Sequence, residues 1–297
     1  MYHIPVLLEE SINGLNIRPD RTYADVTFGS GQHSAAILER LTTGRLIAFD
    51  KDKDAQTNIP QDPRFLFIRQ DYRFLKNFLL FNGITKIDGL LADLGISSHQ
   101  IDEASRGFST RHDGRLDMRM DQDKEKDAAY IVNHYSQAEL GKVFREFGEI
   151  EDTRRLVQEI LKARDIQPIS TTSELRDIAL KCAPRPKENQ FLARVFQAIR
   201  IEVNEELESL KELLLQVNDL MNPGGRLVVI SYHSLEDRLV KNFMRTGNFE
   251  GRPVKDFFGR QISPFKTVNR KAIMPTEQET VTNPRSRSAK LRIAEKL

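Results

Sequence analysis

"DVTFGSGQHS", residues 25–34, is the stretch that decides how this chain is read. On its N-terminal side, "RTYADVTFG" (21–29) reads as a strand that ends in a glycine turn. On its C-terminal side, "SAAILERL" (34–41) predicts a helix with Ser34 as N-cap. Glycines at 29 and 31 let backbone N–H groups approach a ligand with no Cβ in the way, and the following helix presents its positive dipole end. The dinucleotide fingerprint G-x-G-x-x-G wants a third glycine where this chain has Ser34, so the turn alone is a weak signal. Asp50 strengthens it. It ends the next strand-like run, "GRLIAFDKD" (44–52), about 20 residues beyond the turn, where a carboxylate can accept hydrogen bonds from ribose hydroxyls. Gly29, Gly31 and Asp50 together indicate a bound adenosine ribose, carrying either a pyrophosphate or a sulfonium-linked methionine. Asp25, ahead of the turn, leans toward the second, because a carboxylate there repels a pyrophosphate and can help hold an α-amino group. The alternative is that Asp25 only braces the turn.

Further along, "RFLFIRQD" (64–71) and "KIDGLLADLG" (86–95) read as a third and a fourth strand. Near-continuous apolar strands alternating with helices predict a parallel sheet covered on both faces. From about residue 103 to 204 the alternation stops, and "AAYIVNHYSQAELGKVFREFG", "TRRLVQEILKARD", "TSELRDIALKCA" and "FLARVFQAIRIEV" all read as helices. α/β order returns at "EELESLKELLLQVNDLMNPGGRLVVISYHS" (205–234). There Leu207, Leu210, Leu214, Val217 and Met221 share one helix face, and Asn222-Pro223-Gly224-Gly225 is expected to end the helix. "SLEDRLVKNFMR" (234–245) predicts another helix, 246–280 reads as partly loop, and "SAKLRIAEK" (288–296) reads as a final strand. The expected organisation is a core of residues 1–102 and 205–297 with a helical lobe, 103–204, inserted into it.

Composition sets outer bounds. The 297 residues hold 45 Lys and Arg against 43 Asp and Glu, a net charge of +2. That balance is far from the strong basicity common in small nucleic-acid-binding domains. Two local clusters stand out, "RGFSTRHDGRLDMRMD" (106–121) and "NPRSRSAKLR" (283–292); each, taken alone, reads as a solvated charged surface. Cys182 is the single cysteine, which excludes a disulfide framework and suits a reducing cytoplasm. No apolar run is long enough to span a membrane, the N-terminus lacks a signal peptide's basic start, and the histidine spacing indicates no metal site.

The motifs, taken as a set, resemble a bacterial family, ribosomal RNA small subunit methyltransferase H, formerly MraW. The resemblance runs through "HIPVLLEE" (3–10), "DVTFGSGQHS", "GRLIAFDKD", "DGLLADLGISSHQID" (88–102), "RGFSTRHDGRLDMRMD", "FQAIRIEVNEEL" (196–207), "PGGRLVVISYHSLEDRLVK" (223–241) and the C-terminal "NPRSRSAKLRIAE". It implies a class I S-adenosylmethionine-dependent methyltransferase fold: Rossmann-like, seven-stranded and mostly parallel, with an inserted lobe for RNA recognition. It also implies methyl transfer to the N4 amine of a cytidine in the decoding region of 16S ribosomal RNA, the partner being that RNA within an assembled or near-assembled 30S particle. A second copy of the chain is a further candidate partner. Carried over by motif, Gly31, Gln32 and His33 line the cofactor turn, Asp50 takes the ribose, Tyr72 lies by the adenine, and Asp93 and Gln100 close the site. This chain departs from the family where G-x-G-G-H becomes G-x-G-Gln32-His33, and where His99 and Arg115 replace prolines. If position 32 needs a positive φ, Gln32 is strained by about 1 kcal/mol.

The chemistry demanded is narrow. The sulfonium activates the methyl group, so much of the catalysis is positioning. A cytosine N4 amine delocalises its lone pair into the ring, and a carboxylate that accepts its hydrogen bonds restores density on nitrogen. Asp93, at the C-terminal end of the fourth strand, is the expected catalytic residue, since ligands sit at such ends; otherwise it only orients the cofactor. His233 is either a second proton handler or a structural histidine. Tyr232, Phe108 and Phe196 are candidate platforms for an unstacked base, and Arg106, Arg111, Arg115 and Arg119 are candidate phosphate contacts. Three other classes compete. Asp25 and Ser34 disfavour a nicotinamide oxidoreductase, Asp-Leu-Gly-Ile at 93–96 is not the D-P-P-Y of DNA amino-methyltransferases, and a non-catalytic RNA-binding factor is separated only by assay. The Tyr72-x-x-x-Lys76 spacing resembles that of short-chain dehydrogenases but falls too early in the sheet.

Overall fold

The computed structural model describes residues 5–297, so His3 and Ile4 of the "HIPVLLEE" motif lie outside the described residues. Two compact units divide the chain. One takes it up to Gly95 and resumes at Leu207–Leu297; the other is Ile96–Glu206.

The first unit is the α/β core. In chain order it holds α1 (Leu8–Leu15), β1 (Thr22–Asp25), α2 (Gln32–Leu38), β2 (Arg45–Phe49), β3 (Phe65–Ile68), α3 (Leu75–Phe81) and β4 (Ile87–Asp93). The second unit contributes α4 (Ser98–Asp102), α5 (Ala128–His134), α6 (Gln137–Glu146), α7 (Arg154–Ile166), α8 (Thr172–Leu180) and α9 (Glu188–Asn204). Then follow α10 (Glu206–Leu220), β5 (Met221–Ser231), α11 (Ser234–Thr246), β6 (Val254–Lys255), β7 (Gln261–Ile262), β8 (Phe265–Thr267), α12 (Glu277–Thr282) and β9 (Lys290–Lys296). Among the described residues, no helix is long and apolar enough to cross a membrane.

Seven strands form one sheet in the order β3-β2-β1-β4-β5-β9-β8. β3 through β5 run parallel, and β9 is antiparallel to both β5 and β8. This is the class I S-adenosylmethionine-dependent methyltransferase arrangement. The chain leaves β1 in one direction for β2 and β3 and in the other for β4, so the β1/β4 boundary is a topological switch point, where open α/β sheets bind ligands. Both faces are covered, which is why the strands read as apolar runs. In β5, Leu227 and Val229 join Leu75, Leu79, Leu210, Leu214, Val217, Val240 and Phe243 on one face. Val228 and Ile230 join Ile12, Leu15, Ile37, Leu46, Leu91, Leu291 and Ile293 on the other.

One boundary differs from expectation. Met221 belongs to β5 rather than to the helix before it, and pairs with Ile87. The Pro223-Gly224-Gly225 segment sits inside the strand, where the register shifts between Ile87 and Gly89 and Gly224 takes φ +78°. A proline cannot donate to the ladder, and the chain absorbs it as a bulge.

The second unit is helical, packed around Phe144, Leu156, Ile160, Leu175, Val195 and Ile199. Its long connection before α5 is ordered by side chains. Asn204 accepts from the Met120 N–H at 2.8 Å and donates to the Met118 carbonyl at 2.7 Å, holding Met118 at φ +60°.

Candidate active site

The C-terminal edge of the parallel strands gathers the chemistry of the first unit. β1 ends at Asp25, whose carboxyl turns inward. It accepts from the Thr27 N–H at 3.1 Å and from the Ser34 hydroxyl at 2.6 Å. At 1% exposure Asp25 braces the turn from inside, and any part it plays toward an α-amino group runs through the turn it holds. Burial pushes its pKa up to about 6 against those hydrogen bonds. Ser34 acts from inside α2, which starts at Gln32 with Gly31 as its N-cap. The expected Ser34 cap is therefore three residues too late, because Asp25 takes its hydroxyl.

Gly29 and Gly31 adopt φ +50° and +77°, a region that disfavours other L-residues. A Cβ on Gly29 would meet nothing nearer than the Thr27 carbonyl at 3.9 Å, so the turn is open on that side; on Gly31 it would press the Phe28 ring at 3.0 Å. Gln32, the first residue of α2, stays out of the left-handed region, and the strain considered for it does not arise. Just past β2, the Asp50 carboxyl accepts the Gly29 N–H at 2.7 Å and the Asp52 N–H at 2.8 Å. Burial lifts its pKa to about 6 against these bonds. Each of its oxygens still has a second lone pair to offer a hydroxyl.

Asp93 is the last residue of β4. Its N–H donates to Thr27 Oγ1 at 2.6 Å, which ties the strand end to the glycine turn. Its Oδ1 accepts from the Tyr232 hydroxyl at 2.8 Å, and its Oδ2 lies 3.9 Å from His33 Nδ1. The side chain is 22% exposed. Burial, helped by the negative charges of Asp25 and Glu236, pushes its pKa up to about 7, against the Tyr232 hydrogen bond. Burial and Asp93 in turn hold the Tyr232 hydroxyl well above its ordinary range, so it stays a donor.

Tyr72 lies past the end of β3, in the 3-10 turn Tyr72–Phe74, and its ring packs partly buried on the core. Asp71 caps that turn and pairs with Lys51 at 3.1 Å. Burial works to raise the Asp71 carboxyl, yet Lys51 and Arg73 hold it below the usual range. His233 is structural: it caps α11, its Nδ1 accepting from the Glu236 N–H, and Glu236 accepts the Tyr232 N–H at 2.9 Å. The first unit therefore brings Gly31, Gln32, His33, Asp50 and Asp93 to one edge at the switch point, with Tyr72 beyond β3. The donor set fits a nucleoside with positive charge. Asp50 offers acceptors beside an open glycine turn, Asp93 is a second carboxyl, and Lys51 is already paired.

Gln100 belongs to the second unit. Its side chain accepts the Ser97 N–H at 3.0 Å while Ser97 Oγ accepts the Gln100 N–H at 3.2 Å, a capping box that opens α4. The arginine cluster of this unit is divided, with Arg106 and Arg119 turned inward and Arg111 and Arg115 exposed. Arg106 is buried and donates to the Arg119 and Met120 carbonyls at 3.0 and 3.2 Å. Arg119 is paired with Asp117 at 2.6 Å, and Arg115 reaches Asp127 at 2.8 Å. All three brace their loop, and Arg115, like Arg111, is exposed. Phe108 and Phe196 are buried in the helical core, which removes them as base platforms. Reading the sequence did not anticipate the Tyr232–Asp93 hydrogen bond. The signal for it is strand order: Asp93 pairs with Ile230 on β5, two residues before Tyr232.

Compared with known proteins, the chain matches the MraW methylase family over residues 1–297. It is 54% identical to a Bacteroides fragilis protein named "Ribosomal RNA small subunit methyltransferase H", over 99% of this chain and 97% of that one. A protein of the same name from Amoebophilus asiaticus is 56% identical, over 99% and 96% of the two chains. Another, from Parabacteroides distasonis, is 54% identical over 100% and 98%.

Proposed function

The chain belongs to the MraW methylase family, and from that premise we propose that it transfers a methyl group from S-adenosylmethionine to the N4 amine of a cytidine in the decoding region of small-subunit ribosomal RNA. The relatives' name supports the RNA class. The observation that carries the amine is Asp93: a partly open carboxyl at the switch point, titrating near 7 beside a tyrosine donor.

When bound, S-adenosylmethionine supplies a methyl group already activated by its sulfonium. Gly31, Gln32 and His33 line the turn that holds it, Asp50 accepts from the ribose hydroxyls, and Tyr72 flanks the adenine. The Asp93 carboxylate accepts a hydrogen bond from the N4 amine and so raises electron density on nitrogen. An amine that gains a methyl must lose a proton, and a carboxyl with a pKa near 7 is matched to take it. The RNA substrate is an assembled or near-assembled 30S particle in the cytoplasm, and a second copy of the chain is a candidate partner.

The test is to incubate the protein with labelled S-adenosylmethionine and undermethylated small subunits and then map the modified nucleotide by mass. One N4-methylated cytidine is expected; cofactor binding with no label on RNA, or label on another base, overturns the proposal. Tyr232→Phe gives a finer check. It removes the hydrogen bond that lowers the Asp93 pKa, so the rise of kcat/KM with pH, expected near 7 at subsaturating cofactor and RNA, should move to higher pH. The lost rate should return in alkaline buffer; a midpoint that stays or falls refutes the role given to this pair.

A further inference from the structure

From the last turns of α11 to Lys271 the chain changes character. Residues 238–271 carry nine Lys or Arg against two acidic residues, Glu250 and Asp256, in a chain whose net charge is +2. One of those acids is engaged inside the β6–β7 hairpin. Asp256 Oδ1 accepts the N–H groups of Phe258 at 2.9 Å and Arg260 at 2.8 Å. The main chain closes the same loop, with the Asp256 N–H donating to the Arg260 carbonyl and the Gly259 N–H to the Asp256 carbonyl. This tied tip holds two adjacent rings in solvent: Phe257 is 98% exposed and Phe258 78%. Their centroids are 5.6 Å apart and their planes are nearly perpendicular at 87°. Single exposed apolar side chains are ordinary; two on a preorganised tip, flanked by the exposed Lys255 and Arg260, are a different matter.

The hairpin is fastened to a cationic cavity. The Gln261 amide donates to the Arg245 carbonyl at 2.6 Å, and the Arg245 guanidinium donates to the Gly251 carbonyl at 3.1 Å. Arg245 also lines a cavity of about 230 Å³ with Lys241, Arg270 and Arg292. Arg292 is tied to Asp237 at 2.6 Å, while Lys241 and Arg270 are exposed. Lys241 and Arg245 lie in the second half of α11, on the order of 10–17 Å along the helix from its start beside Tyr232.

We propose that this surface is a second RNA-binding site, in which Phe257 and Phe258 stack on unpaired bases while Lys241, Arg245 and Arg270 take backbone phosphates. The inference rests on the proposed RNA substrate. Charge and shape favour that occupant. A nucleic acid combines π-faces with regularly spaced anions, as a groove of aromatic and cationic side chains requires. Val254 and Ile262, paired across the hairpin, are exposed as well, but the cations that surround this apolar surface suit a phosphate backbone, whereas the core of a protein interface is depleted of charge.

Two double variants test it, Phe257→Ala/Phe258→Ala and Lys241→Ala/Arg270→Ala. All four side chains are exposed, so melting temperature and S-adenosylhomocysteine affinity should not move. Filter binding to undermethylated small subunits should weaken by roughly tenfold or more in the aromatic variant, because up to two bases no longer stack. Apparent KM for subunits should rise in step with kcat unchanged. In the basic variant the salt dependence of binding should flatten by about one power of salt concentration for each phosphate no longer neutralised, whereas the aromatic variant should keep the wild-type slope. Subunit affinity within twofold of wild type in both variants overturns the inference. So does loss of binding to phosphatidylglycerol vesicles with subunit affinity intact, which reassigns the surface to membranes. Because filter binding needs no methyl transfer, a wild-type protein that binds subunits through this surface but labels no RNA sinks the proposed reaction and leaves the surface standing.

Discussion

Asp93→Asn is expected to lower methyl transfer to small subunits by about 10²- to 10⁴-fold, the range for a positioned acid–base group, while leaving S-adenosylhomocysteine affinity within a small factor of wild type. The amide nearly matches the carboxyl in shape and can still accept from the Tyr232 hydroxyl. It cannot hold a negative charge against the amine or take its proton. A second readout separates this role from a merely structural one. The Asp93 pKa lies near 7 in the folded protein, above its ordinary value, so between about pH 4 and pH 7 the folded state binds more protons than the unfolded one. Stability from this group is fully present below that window and is lost as pH rises through it. Asparagine has no such loss, so the variant should melt at a higher temperature than wild type at pH 8 and at nearly the same temperature at pH 4. A variant less stable at pH 8, or one that loses cofactor binding along with activity, would make Asp93 a structural or cofactor-orienting group. Activity sacrificed for stability is the pattern expected where a site holds a charge in a poorly solvated place.

The sequence already contains much of this site, because its residues are local to strand ends. Gly29, Gly31 and Asp50 are recognisable from spacing alone, and the structure joins them through one hydrogen bond from the Gly29 N–H to Asp50. Asp25 could not be decided that way. Its role depends on Ser34, nine residues on, whose hydroxyl reaches it only because α2 begins early and folds back over the strand. The Tyr232–Asp93 hydrogen bond spans 139 residues and exists only because β5 lies beside β4, a neighbour relation that no local pattern encodes. The arginine cluster divides for another reason. Alternating Arg and Asp in "RLDMRMD" is compatible with a solvated surface or a structured loop, and Arg106 and Arg119 satisfy carbonyls that a long non-helical connection would otherwise leave unpaired, while Arg111 and Arg115 stay exposed. The basic stretch at 238–271 is hard to see in the sequence for the opposite reason: its charges are spread over short elements with no periodicity, and the whole-chain balance hides them.

Asp50→Ala is the second large effect, and it should fall on binding rather than on chemistry. The carboxyl is expected to face two ways. Toward the protein it accepts from Gly29 and Asp52 at 2.7 and 2.8 Å; toward the nucleoside it has lone pairs for the ribose hydroxyls. Hydrogen bonds to a charged group are worth about 1.5–3 kcal/mol each. Removing the ribose hydrogen bonds together with the hold on the turn should weaken S-adenosylhomocysteine binding by about 100-fold or more in calorimetry. Asp50→Asn discriminates between the two faces. Its single acceptor oxygen can keep one backbone partner while its NH₂ confronts the other, so it should fall between wild type and alanine. With saturating cofactor, kcat in the asparagine variant should recover most of the wild-type value, because Asp50 does not touch the amine. The apo protein provides the counterpart. The Asp50 pKa is raised to about 6 by burial, so removing the carboxyl relieves an ionised group that the fold disfavours above that pH, and the loss of its two hydrogen bonds acts in the other direction. The melting temperature of Asp50→Ala relative to wild type should therefore be lower at pH 5 than at pH 8. Undiminished cofactor affinity in the alanine variant would remove Asp50 from the nucleoside site, and with it the reading of the glycine turn that first pointed to a ribose.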